Sequence, residues 1–401
     1  VGDEDLWYDD RIFQWEDLIS AGRGRAFQRT AQAPDDPFAI LYTSGTSGKP
    51  KGVELSHRNL IHAAAATAEA VSLGPEDRVV GVTALFHVFG LGPGLLGTAI
   101  GGGRLLLQDE FGAARTLELI ESERATVHFG VPTLFATELA ELRNRDVDLG
   151  SIRVCLSAGA PMPDGLARAV EERFEAPLII AYSLTEAAST VAVATPSDPV
   201  SKRHFTVGRP VPSTDLRVLG ENGDVLPVES VGEIAMRGPG VTGGYYRQPR
   251  ETARALDGEG YLRTGDLGML DDEGFIHLVG RSMDVVVRGG FNVHPQEVED
   301  RLGSHPAVDR AAVVGFPDEL LGEGLCAFVV RVEGGVVTES ELRDWSRESL
   351  AEYKLPDRIR FVDSMPMTGS GKLWRHELAR LARMDQASEL EGGRSVPRVE
   401  S

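Results

Sequence analysis

Apolar residues fall in short runs between Gly, Pro and Asp turns, and segments of helical period lie between them. Residues 38–42 (FAILY) form such a run and predict a strand. Residues 1–37 are otherwise polar and irregular, with one helical stretch over 12–20. An Ala-rich helix is predicted over 59–72, a strand over 77–84 (DRVVGVTA) and a helix over 114–123. Residues 125–129 read as a strand that ends in GVP, and 154–156 as a short strand that ends in SAGAPMP. An amphipathic helix over 163–174 and a strand over 177–182, ending in SLTE, complete this half. Strand, loop and helix in alternation predict a layered α/β fold with a parallel sheet. The loops of chemical interest follow strands, where open α/β sheets gather ligands.

The texture changes at Val207. Short β runs (LRVLG, GEIAMRG, FIHLVG) alternate with Gly-Asp and Asn-Gly turns and predict a β-rich subdomain over 207–280. It changes again after Arg281, where strand, Gly turn, helix and strand follow in order, then AFVVRV and a helix over 339–349. The expected organisation is a domain over 1–280, a junction at 281–284, a compact α+β domain over 285–383 and a disordered polar tail over 384–401. No internal repeat is present.

Composition narrows the function. A chain of 401 residues with 42% hydrophobic content suits two or three domains with sizeable cores. A net charge of −20 and a pI near 4.9 argue against a nucleic-acid surface. A nucleotide site would therefore be a local basic pocket. Cys155 and Cys326 lack zinc-type spacing and fit unpaired thiols in a reducing compartment. Acidic residues crowd positions 3–10, unlike a signal peptide, and the apolar run 89–107 is broken by Pro93, Arg104 and glycines. The expected location is cytoplasmic. Lysine occurs only at 49, 51, 202, 354 and 372, and three of these fall in glycine-rich loops. In an arginine-rich chain, a retained lysine marks a need for a compact point charge. Codon bias explains the scarcity but not the placement.

The strand at 38–42 feeds a loop of Thr43, Ser44, Gly45, Thr46, Ser47, Gly48, Lys49, Pro50 and Lys51. It offers backbone N–H groups on residues of little bulk, several hydroxyls and two ammonium groups. That inventory suits a polyphosphate: backbone amides form an anion-binding nest, and lysine adds point charges. It is not a Walker loop, which would need Gly at 43 and a hydroxyl at 50, where Thr43 and Pro50 stand. A flexible Ser/Gly linker is the bland alternative, although two lysines around a proline are uncommon in one.

The string LYTSGTSGKPKGV resembles the nucleotide-binding loop of the adenylate-forming (AMP-binding) enzymes, which include acyl-CoA synthetases, peptide-synthetase adenylation domains and luciferases. Tyr182 to Glu186 (YSLTE) resembles that family's Y-G-x-T-E loop, with Ser183 in place of Gly. The resemblance implies that Tyr182 stacks on adenine, Thr185 bonds the α-phosphate and Glu186 holds Mg²⁺. Ser157 to Pro161 resembles the segment lining the adenine, which assigns Gly159, Ala160 and Pro161 to ATP. Tyr261 to Leu267 (YLRTGDL) resembles Y-R-T-G-D, which makes Asp266 the acceptor of the ribose hydroxyls. Gly280-Arg281 and the following glycine loop resemble the interdomain hinge and thiol-entry segment. Arg281 would contact ribose or phosphate, and Arg288, Gly289, Gly290 and Phe291 would line the CoA path. Met283 stands where a hinge Asp or Lys is usual, with Asp284 next, so both are hinge candidates. Pro366 to Lys372 resembles the final lysine loop, and Lys372 would offset the repulsion between an attacking carboxylate and the α-phosphate.

Phe86 and His87 stand where the family places an aromatic or His over the acyl pocket. His128, Phe129, Gly130, Ala181 and Ala187 complete the expected wall. His87 as an ordinary buried histidine stays open. The Asp that amino-acid-activating members use for the substrate amine is absent from these segments, which implies a carboxylate without an α-amine. The resemblance covers 12–383.

The fold implied is α/β: a large layered α/β N-terminal domain with a β-rich subdomain, plus a small mobile α+β C-terminal domain. Members carry a much longer segment before the first loop than residues 1–40 here. The large domain is therefore expected to be truncated at its N-terminus, and an apolar surface left by that shortfall would favour a homodimer. The function implied is an ATP-dependent acyl-CoA synthetase that uses ATP, Mg²⁺ and CoA on an aliphatic, alicyclic or aromatic monocarboxylate. Transfer to a carrier-protein pantetheine, oxidation of a luciferin-like substrate, and a truncated, non-catalytic ligand-binding relative remain as alternatives.

Overall fold

The computed structural model describes residues 14–392, apart from 27–29, 44–49, 82–84, 109–111, 282–283, 290, 319 and 368–372, and describes side chains as far as 384. Its centre is a seven-stranded sheet. Strands Arg104–Leu105, Arg78–Val80, Val127–Gly130, Val154–Ala158 and Leu178–Leu184 run parallel, and Ser189–Val193 and Arg209–Pro210 extend it antiparallel. Alternate side chains supply two cores. Val80, Cys155 and Leu178 face the helices Ala113–Glu123, Pro132–Glu141 and Asp164–Phe174, whereas Val79, Phe129, Leu156 and Ile179 face the helix His57–Ala70. Burial on both faces is why these strands read as unbroken apolar runs. Cys155 and Cys326 are both fully buried, one in the large domain's sheet and the other in the small domain's.

The β runs after Val207 pair as an antiparallel sheet in the order Asp215–Leu219, Gly232–Arg237, Leu262–Leu270, Ile276–Arg281. A third sheet holds Phe291–Val293, Val286–Arg288, Gly322–Arg331 and Val308–Asp318, with Arg358–Phe361 parallel to Gly322–Arg331. It has its own core around Val298, Leu302, Leu325 and Leu342.

Several elements differ from the sequence reading. The strand Lys51–Ser56 is antiparallel to Pro37–Thr43, so the two are the arms of a hairpin with residues 44–50 between them in sequence. Ser56 then caps the helix His57–Ala70 through a reciprocal pair with Asn59. The Asn59 amide reaches the carbonyls of Pro239 (2.8 Å) and Val241 (2.9 Å) and binds a distant segment to this helix. The glycine-rich stretch Gly90–Gly97 is a π-helix, and Leu262–Leu270, read as a loop, is a strand. The tail expected to be disordered is helical as far as Gly392, because residues 384–392 hold Gln, Ala, Leu and Glu, which favour helix. Residues 393–401 lie outside the described residues. Among the described residues no helix is long and apolar enough to cross a membrane.

Asp77 ties three parallel strands together. Its carboxylate accepts from Thr126 Oγ1 (2.7 Å), Gly74 N (2.9 Å), and Arg153 Nε (2.8 Å) and Nη2 (2.7 Å). Burial pushes this carboxyl up, but Arg153, Thr126 and Gly74 outweigh it and hold it below the ordinary 3.8. A depressed carboxylate stabilises the fold above the unfolded value and loses that contribution as pH falls through the folded one. Urea unfolding should therefore show Asp77→Ala less stable by about 2 kcal/mol at neutral pH, since it strands three donors. The difference from the parent should shrink below pH 3.8. A pH-independent difference would assign the loss to packing.

Candidate active site

Two clusters form around the residues that follow the strand Leu178–Leu184. The first joins this strand to the antiparallel sheet. Tyr182, 5% exposed, donates its phenol proton to Asp266 Oδ2, and Arg281 Nε donates to Asp266 Oδ1 at 3.1 Å. Asp266 and Arg281 are direct cross-strand partners, so sheet register brings them together. Thr264 fixes the turn: its hydroxyl donates to Ile234 O (2.7 Å) and accepts from Asp266 N (3.1 Å). Gly265 between them has φ +73, a conformation that favours glycine. Burial raises the Asp266 carboxyl above the ordinary range, against the pull of Arg281 and Tyr182, and the nearby Glu186 adds to the rise. Burial also pushes the Tyr182 phenol up, with the Asp266 charge second, so it stays a donor.

The second cluster joins the same loop to the glycine-loop hairpin. Thr185–Ala187 form one 3₁₀ turn, and Ala188 (φ 56) and Ser189 (φ 107) then reverse the chain. Positive φ at these two non-glycine residues is strain of the kind found at functional turns. Glu186 Oε1 accepts from the Tyr245 hydroxyl at 2.9 Å. Lys51 Nζ donates to that hydroxyl at 3.3 Å and lies 4.5 Å from the ring centroid. Burial, then the Glu186 charge, pushes the Tyr245 phenol up. Thr43, paired with Lys51 across the hairpin, has a buried hydroxyl with no hydrogen-bond partner among the described residues.

These features fit a magnesium nucleotide. An orphaned hydroxyl and an ammonium flank the glycine loop, and the buried Asp266 carboxylate is a fixed acceptor. Mg²⁺ commonly takes one or two carboxylates plus substrate phosphates, so Glu186 alone suffices. Among the described residues no group of three His, Cys, Asp or Glu is built for a metal. Ser44, Gly45, Thr46, Ser47, Gly48 and Lys49 lie outside the described residues, as do Met283, Gly290 and Lys372.

Gly159 (φ +84), Ala160 and Pro161 follow the strand Val154–Ala158, whose last residue pairs with Ala181 beside Tyr182. Pro161 and Arg281 line a cleft of about 150 Å³ together with Asp284, His294, Gln296 and Arg375. Arg375 lies three residues after Lys372. It forks onto Glu299 (2.7 and 2.8 Å), donates to Val313 O (3.0 Å) and lies 3.5 Å from Asp284.

The structure does not present Arg288 to a thiol path. Its guanidinium donates to the carbonyls of Tyr353 (2.8 Å) and Leu355 (3.3 Å) and pairs with Asp357, bracing the small domain from within. Gly289 N donates to Leu321 O (2.7 Å), and the exposed Phe291 stacks on Tyr353.

The expected acyl-pocket residues separate. Phe86 is 76% exposed, and His87 Nδ1 accepts from Phe89 N at 3.3 Å. His128 is not brought to the site. It is fully buried, pairs with Glu138 at 2.7 Å and packs between Phe135 and Phe174, because strand alternation turns it to the face opposite Phe129. Phe129 packs on Phe89, Gly130 lies against Leu134 and Phe135, and Ala181 and Ala187 are buried. The lysines also divide. Lys202 pairs with Asp271 and Glu273, and Lys354 with Glu297, as ordinary ion pairs. Tyr245, Thr264 and Arg375 escaped the sequence reading. The Gly-Gly-Tyr-Tyr string at 243–246 was the available signal for Tyr245.

The family model described as "AMP-binding enzyme" matches residues 3–246, and its C-terminal domain counterpart matches 297–372. A feruloyl-CoA synthase from Amycolatopsis sp is 38% identical over 346 residues, 86% of this chain and 70% of that protein. ATP-bound MatB from Rhodopseudomonas palustris superimposes with a TM-score of 0.86 at 32% identity, over 91% of this chain and 72% of that one. The apo form of MatB from that organism gives 0.74 at the same identity and coverage.

Proposed function

Because the chain belongs to the AMP-binding enzymes, we propose that it is an ATP-dependent carboxylate:CoA ligase. It converts a carboxylic acid to acyl-AMP with release of pyrophosphate, then passes the acyl group to the CoA thiol. The observation that carries this reading is the meeting of two clusters at the end of the strand Leu178–Leu184 and the turn after it. Asp266, Tyr182 and Arg281 form a nucleoside end, and Glu186, Lys51 and Thr43 a phosphate end.

Asp266 accepts the ribose hydroxyls, while Tyr182, Gly159, Ala160 and Pro161 line the adenine. Thr43 and Lys51, with residues 44–49, hold the β- and γ-phosphates, and Thr185 bonds the α-phosphate. Glu186 would hold Mg²⁺, which would supply positive charge against the phosphates of the departing pyrophosphate. Lys372, by its place in the final lysine loop, supplies the ammonium that offsets the repulsion between the attacking carboxylate and the α-phosphate. Two half-reactions at one carbonyl need the small domain to turn about 281–284, which brings Gly289, Gly290 and Phe291 towards the thiol. The closer likeness to ATP-bound than to apo MatB supports a nucleotide-ready arrangement.

The substrate is a monocarboxylic aliphatic, alicyclic or aromatic acid, with Phe86 and His87 next to its acyl group. CoA is the acceptor, and a carrier-protein pantetheine is the competing outcome. The burial and wide separation of the two cysteines support a cytoplasmic setting. The outward row Phe38, Ile40 and Tyr42 supports a homodimer. A pyrophosphate-release screen over a panel of acids, with CoA and a pantetheinylated carrier protein as alternative acceptors, tests this. Release with some acids and faster turnover with CoA is expected; ATP binding without acid-dependent release rejects it.

A further inference from the structure

We propose that Tyr245 is a positioning residue for adenylation, a spacer that keeps Lys51 and Glu186 apart so that each meets the nucleotide separately. The inference rests on the function proposed above.

Lys51 and Glu186 carry opposite charges, and one hydroxyl lies between them. It accepts from Lys51 Nζ at 3.3 Å and donates to Glu186 Oε1 at 2.9 Å. Without it, an ammonium and a carboxylate at this separation would close into a direct ion pair. That pair would draw Lys51 from a phosphate and Glu186 from a cation. A phenol can accept from one group and donate to the other without carrying charge itself. Its ring also gives the ammonium a second place to rest, 4.5 Å from the centroid.

Tyr245 is held rigidly enough for this work. It is 8% exposed and forms an isolated antiparallel bridge with Val53, and its N–H donates to Thr252 Oγ1 at 2.9 Å. Tyr246 N donates to Gly52 O (2.7 Å), and Thr242 N to Glu186 O (2.8 Å). One short segment therefore fixes the backbone of Glu186 and that of Gly52, next to Lys51, and supplies the hydroxyl between the two charges.

Tyr245→Phe removes only that hydroxyl. Calorimetry should show Mg²⁺-ATP bound about tenfold or more weakly, the usual cost of losing a hydrogen bond to a charged group. In pyrophosphate exchange, KM for ATP should rise by a similar factor and KM for the acid stay within twofold. The melting temperature without ligand should be unchanged. Combined with Glu186→Gln, the substitution should add little, because it acts through that carboxylate. An unchanged ATP Kd, additive losses in the double variant, or a fall in ATP affinity accompanied by a lower melting temperature would overturn the proposal. A parent protein without acid-dependent exchange would instead reject the underlying function.

Discussion

Lys372→Ala should lower acyl-adenylate formation by about a hundredfold or more, while thioester formation from supplied acyl-adenylate stays close to that of the parent. The size follows from the chemistry. A carboxylate attacking an α-phosphate brings two anions together, and an ammonium placed between them is worth most where water is excluded. The residues flanking the lysine are well anchored: Met367 and Leu373 form a β-bridge, and Trp374 N donates to Pro366 O at 2.9 Å. Arg375 then fixes the start of the last helix to Glu299 and Val313. Quenched-flow assays of each half-reaction measure the split. Equal loss in both would reject the assigned role.

Asp266→Ala should raise both the Kd and the KM for ATP by about ten- to a hundredfold, with a smaller effect on kcat. The carboxylate is a buried acceptor, and its removal also strands the Tyr182 hydroxyl and Arg281, so the loss exceeds that of a simple surface contact. Burial raises its carboxyl above the ordinary range, so ATP affinity in the parent should weaken as pH falls, from a higher pH than an exposed aspartate would give. The alanine variant should lack that acid limb. Titration calorimetry at several pH values reads both effects; an unchanged ATP Kd would remove the ribose role.

The sequence exposed those parts of the site that depend on local chain chemistry. YSLTE and YLRTGDL stood out because each gathers its polar side chains in one short run, and the structure brings Tyr182 and Asp266 into contact. Tyr245 was not legible. Its role comes from long-range packing, 194 residues from Lys51 and 59 from Glu186. His128 misled for a related reason. A histidine near the end of a strand looks like a pocket wall, but strand alternation and Glu138 on the next helix determine its face. In the fold, two-sided burial made the parallel strands easy to find. The hairpin arm Lys51–Ser56 was hidden because its pairing partner lies across the glycine loop.

The central claim is that one site runs two half-reactions with an acyl-adenylate between them. The direct test is a single turnover with enzyme in excess over ATP and an accepted acid, first without CoA and then with it. Stoichiometric pyrophosphate and retained acyl-adenylate are expected in the first phase, then AMP and thioester on adding CoA. ADP and phosphate as products, or thioester formed without pyrophosphate, would contradict it.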